Sequence, residues 1–71
     1  MEDFKKTIEN TVFNFKFVQE GVDEVFLVNA EDHNFRMIID DDGNWGIWQQ
    51  VPRWIKALEE QLGNAIEEQY A

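Results

Sequence analysis

The sequence predicts an α+β fold: a four-stranded antiparallel β-meander with one C-terminal α-helix packed on one face. Three observations carry that expectation. Between Thr11 and Gln49 the apolar and aromatic residues recur mainly at every second position, which is the period of a strand. Short polar or glycine-containing segments interrupt this pattern, and connections that short join antiparallel neighbours. From Val51 onward the spacing lengthens to three and four, which is the period of an amphipathic helix.

The first predicted strand covers about 11–18, where Phe13, Phe15 and Phe17 alternate with Val12, Asn14, Lys16 and Val18. Glu20-Gly21 supplies a turn. The second strand, about 22–30, sets Phe26, Val28 and Ala30 on one side and Val25, Leu27 and Asn29 on the other. Glu31 to Asn34 is a polar break. The third strand, about 33–40, alternates Phe35, Met37 and Ile39 with Arg36 and Ile38. Asp40-Asp41-Asp42-Gly43-Asn44 is the strongest turn signal, because Asp-Gly accepts the positive φ of hairpin turns. The fourth strand, about 44–49, alternates Trp45, Ile47 and Gln49 with Gly46 and Trp48.

Pro52 suits a first helical turn, where its missing N–H costs nothing. A helix over about 52–69 carries the stripe Val51, Ile55, Leu58, Leu62, Ala65 and Ile66. It would be roughly 27 Å long at 1.5 Å per residue. The stripe belongs against Phe13, Phe15, Phe17, Phe26, Val28, Phe35, Met37, Ile39, Trp45 and Ile47. Met1–Asn10 is ambiguous: Phe4, Ile8 and Val12 sit four apart, as on a helix face, so a short N-terminal helix and an irregular lead-in both fit.

With 71 residues, positions 1–71 make one small domain. A chain this short buries only about 60% of its surface on folding, which leaves little margin of stability. It holds 15 acidic against 6 basic residues, for a net charge of −9. Yet 44% of it is hydrophobic and 14% aromatic, too much for a disordered acidic tail. There is no cysteine, and therefore neither disulfide nor thiolate metal site. No window approaches the 18 apolar residues of a membrane span, and MEDFKKTIEN lacks the apolar core of a signal peptide. A cytoplasmic protein is the expectation.

The residues offer little chemistry. The sequence has no serine, so hydroxyl nucleophiles reduce to Thr7 and Thr11, with no histidine near them. His33, the only histidine, lies in a polar break. An EF-hand register with Gly43 at its invariant glycine places Ile38 and Gln49 where carboxylates are required, so the Asp40–Asp42 run reads as an acidic hairpin turn. No enzyme activity, cofactor or metal is expected. Trp45, Trp48 and Trp54 read as core-filling aromatics. Few basic residues face many acidic ones, which argues against direct nucleic-acid binding.

Two surfaces remain as candidates. The second sheet face holds Val12, Val18, Val25, Leu27, Ile38 and Trp48 among Asn14, Lys16, Asn29 and Arg36. An exposed face is ordinarily more polar than that, and apolar patches mark interfaces. Val25, Leu27, Ile38 and Trp48 are thus the expected contacts to a protein partner or a second copy of the chain. The other surface is acidic: Glu59, Glu60, Glu67 and Glu68 suit a regulator, inhibitor or nucleic-acid mimic that meets a basic protein. A small-ligand-binding module is a third alternative.

Overall fold

The computed structural model describes residues 2–70. It is an α+β fold with one antiparallel sheet in meander order and a C-terminal helical segment. The strands are β1 (Phe4–Ile8), β2 (Thr11–Glu20), β3 (Asp23–Ala30), β4 (His33–Ile39) and β5 (Trp45–Ile47). Two helices follow, α1 (Arg53–Lys56) and α2 (Glu59–Tyr70).

The sheet has five strands where the sequence predicts four, because the N-terminal segment is a strand and not a helix. Phe4 pairs with Phe15 and Ile8 with Thr11. A spacing of four is even, so it places Phe4 and Ile8 on one side of a strand as well as on one side of a helix. Glu9 and Asn10, at φ 50° and 65°, make the tight turn that reverses the chain. Positive φ at both central residues matches the twist of the flanking strands. The next turns use Gly21 at φ 64° and Glu31 at φ 54°.

The Asp40–Asn44 loop forms as expected. Asp40 Oδ1 accepts the N–H groups of Asp42 and Asn44, both at 2.9 Å. Gly43 takes φ 84°. One aspartate oxygen is thus consumed in shaping the loop. Among the described residues no cluster of three or more acidic or histidine side chains is arranged to hold a metal ion.

The predicted helix over 52–69 is interrupted at Ala57-Leu58. Leu58 N–H bonds Ile55 O at 2.9 Å, a tightened turn, before α2 begins. The apolar stripe still runs through both parts: Ile55, Leu58, Leu62, Ala65 and Ile66 are buried in one cluster with Phe13, Phe15, Phe26, Val28, Phe35, Met37, Trp45 and Ile47. Phe17 is only partly buried, and Ile39, at the end of β4, is 39% exposed. Phe26 is the hub of the aromatic packing, with ring centroids of Trp45 at 5.4 Å, Phe17 at 5.7 Å and Phe4 and Tyr70 at 5.8 Å. Tyr70 also ties the two ends together. Its hydroxyl accepts Glu2 N–H at 2.8 Å and donates to Glu2 O.

Candidate functional site: the open sheet face

Strand alternation and register build a second face from side chains that point away from the helices. Its central rows are Lys5–Asn14–Asn29–Asn34, Lys16–Leu27–Arg36 and Val18–Val25–Ile38–Gly46. The N-terminal segment does not fold over these rows. As β1 it lies beside β2 in the plane of the sheet and widens the face with Lys5 and Thr7.

A shallow depression of about 600 Å³ crosses the first two rows, lined by Asn14, Lys16, Leu27, Asn34, Arg36 and Gln49 among others. Leu27 supplies its apolar floor. Amides surround it: Asn29 Nδ2 donates to Asn34 Oδ1 at 2.9 Å, and Gln49 Oε1 accepts the Arg36 N–H at 3.1 Å. Trp48 shares a neighbouring hollow with Arg36, Ile38 and Gln49.

The four apolar residues expected at a partner contact meet different fates. Trp48 is 67% exposed and Leu27 37%, and Val12, farther along β2 on the same face, is 49% exposed. Ile38 is half-buried. Val25 is a correction: at 1% exposure it cannot touch a partner. The register explains this. Val25 lies between Val18 and Ile38, in the row that separates Arg36 from the Glu20–Asp23 pair. Arg36 Nη2 reaches Glu20 Oε1 across that row, so the ion pair straps Val25 down. Val25 is the one buried hydrophobic residue outside the core cluster among the described residues.

This face mixes charges: Glu20 and Asp23 form its end row, next to Val18 and Val25. Lys5, Lys16 and Arg36, three of six basic residues in a chain of net charge −9, cluster on it. Arg36 is engaged by Glu20, while Lys5 and Lys16 are exposed.

The acidic helix face is smaller than the sequence suggests. Glu59 is a structural tether: its carboxylate accepts the Ile47 N–H at 2.7 Å and pairs with Lys56 at 3.0 Å. Burial pushes its pKa up, but the Ile47 N–H and the Lys56 ammonium outweigh that and hold it below 4.5. Glu60 and Glu67 line a cleft of about 380 Å³ with Asn44, Asn64 and Trp45, whereas Glu68 faces Lys6 across another hollow. The tryptophans, all expected to fill the core, divide. Trp45 is in the core, and Trp54 packs at its rim against Phe13 and His33. Trp48 departs from the expectation at 67% exposure, because the alternation of β5 carries on to it and turns it to the open face.

What sequence reasoning missed is the company around Leu27. Lys5 joins the face because β1 is a strand, Asn34 through the bond it accepts from Asn29, and Gln49, just past β5, through the bond it accepts from the Arg36 N–H. No described helix is long and apolar enough to cross a membrane. Comparison with family models, with curated proteins and with solved structures finds no match.

Proposed function

We propose that the chain is a small, non-enzymatic protein–protein interaction module of the cytoplasm that docks a partner through the open sheet face. One observation carries this reading: Leu27 and Trp48 stand exposed on a sheet face that no described element covers, in a domain with little apolar area to spare. Large aromatic and aliphatic side chains framed by polar groups are the usual anchors of interfaces. Lys5, Lys16 and the amides around Leu27 favour a partner that brings an apolar side chain with carboxylates beside it.

Leu27→Asp and Trp48→Ala test this. Affinity capture on the wild-type chain should retain a partner in molar salt, and either substitution should release it while leaving the thermal midpoint nearly unchanged. Sedimentation of the same proteins separates self-association from a foreign partner. Retention that ignores both substitutions would remove the face from consideration.

The second reading, an acidic regulator of a basic protein, rests on Glu60 and Glu67, two exposed carboxylates seven residues apart on α2. Salt distinguishes the two. Binding through exposed charges weakens steeply as ionic strength rises, because the screening length falls to about 3 Å at 1 M.

A further inference from the structure

The sheet has two edges, and the chain treats them differently. Along antiparallel strands, residues alternate between aiming their main-chain groups at a neighbour and away from it. The two-residue turn at Glu9-Asn10 closes on the pair Ile8–Thr11. Lys6 and Phe4 therefore bond inward, and Lys5 and Thr7 aim their N–H and C=O groups out of the sheet. At the opposite edge the same alternation turns Trp45 and Ile47 outward.

That second edge is closed. The Ile47 N–H is taken by Glu59 at 2.7 Å. Helix α2 lies against Trp45 so closely that a methyl group at Gly63 would sit 3.4 Å from Trp45 O. Loose ends beyond the strands are finished by side chains too. Asp3 Oδ1 accepts the Phe17 N–H at 3.0 Å, and Gln49 Oε1 accepts the Arg36 N–H. No described residue does this for the outward groups of Lys5 and Thr7, both of which are exposed.

We propose that β1 is a docking edge that takes an extended, carboxylate-rich segment of a partner protein as a sixth strand. Open edges accept strands through main-chain hydrogen bonds, and the side chains select which strand. Lys5 and Lys6 are the only adjacent basic residues in the sequence. They project from opposite faces of β1: Lys5 stands on the open face, and Lys6 on the helix face, where Glu68 lies across a hollow from it. Carboxylates at every second position of the incoming strand lie on one face and answer Lys5, whereas the lysines repel a basic strand and disfavour a neutral one. A second copy is a poor occupant. Pairing through Lys5 and Thr7 across a two-fold axis sets Lys6 opposite Lys6 and brings together two chains of net charge −9.

The experiment follows amide hydrogen exchange of the full chain by NMR. The probe is a synthetic peptide of alternating Glu and Val. Saturating peptide should slow exchange at Lys5 and Thr7 by about tenfold or more. The same peptide N-methylated at every second residue, and its Lys/Val counterpart, should bind at least about tenfold more weakly. The Lys5→Glu/Lys6→Glu variant should lose the effect while keeping its circular dichroism spectrum. The N-methylated probe needs no variant, so the test does not depend on one that folds. The proposal falls if exchange at Lys5 and Thr7 is unchanged at millimolar peptide, or if the N-methylated peptide binds equally well. It falls equally if slowing appears without peptide as the protein is concentrated, since the occupant would then be a second copy.

Discussion

Phe26 and Leu27 are neighbours in β3, yet they live on opposite sides of one sheet. Phe26 is fully buried, at 0% exposure, inside a ring of aromatic partners. Leu27 is 37% exposed between Lys16 and Arg36. The difference comes from what covers each face. One face receives the interrupted stripe of α1 and α2, while the other receives no element of the described chain. The helix face therefore carries stability, and the open face is free to carry recognition. A domain of this size holds only about 4–10 kcal/mol of net stability, so the first face has little tolerance for loss.

The largest effect is expected at that contrast. Phe26→Ala removes an aromatic ring from close packing and should cost about 4 kcal/mol. That is a large share of the whole stability of the domain, and urea denaturation should find the midpoint shifted strongly toward zero denaturant. Leu27→Ala should cost about 1 kcal/mol or less, because its side chain already meets water. Equal losses at the two positions would mean that the open face is packed in solution by something else.

Val25 blurs the contrast and so sharpens it. It belongs to the open face by alternation but is buried beneath the Arg36–Glu20 pair. Val25→Ala should cost about 2 kcal/mol, nearer to a core residue than to Leu27. Arg36→Ala should expose Val25 and cost less, because an exposed ion pair contributes only about 0–1 kcal/mol. Comparing denaturation midpoints for the two variants tells whether packing or the strap holds Val25.

The two faces were legible in the sequence to different depths. Phe13, Phe15, Phe26, Val28, Phe35 and Met37 announce the inner face, because a strand's period of two leaves aromatic residues no other side. Leu27 and Trp48 announce the outer face by the same logic. What stayed hidden depends on contacts between elements. The even spacing of Phe4 and Ile8 fits either a helix or a strand, and Glu9-Asn10 carries no glycine to mark the hairpin. The break at Ala57-Leu58 leaves the apolar stripe intact, so periodicity passes over it. Glu59 looks like one more solvated carboxylate until the phase of the β5 ladder aims the Ile47 N–H at it. The strap over Val25 joins residues sixteen positions apart.

Glu59 also makes part of the helix–sheet attachment depend on pH. Burial raises its pKa, but the Ile47 N–H and Lys56 outweigh that, so the folded value lies below the ordinary 4.5. A depressed carboxylate stabilises the fold in full above its unfolded pKa and loses that contribution as pH falls through the folded value. Glu59→Ala should therefore cost about 1 kcal/mol at neutral pH, a figure kept low because the side chain is 28% exposed. The gap between wild type and variant should narrow below about pH 4.5. Thermal melts of both proteins between pH 7 and pH 3 check the sign, and a gap that widens in acid would contradict it.

The smallest effect tests how tightly α2 presses on β5. Gly63 is buried within α2, where glycine is about 1 kcal/mol less favourable than alanine. A methyl group there would meet Trp45 Cβ and Trp45 O at 3.4 Å, the near limit of ordinary contact. The propensity gain should therefore survive in part, and Gly63→Ala should stabilise the domain by about 0.5 kcal/mol. Gly63→Val adds further methyls at the same place and should reverse the sign, because nothing on the rigid main chain of Trp45 can move aside. A thermal midpoint that drops with alanine would mean the helix sits closer to the edge strand than contact distance allows, and that glycine is required there for packing.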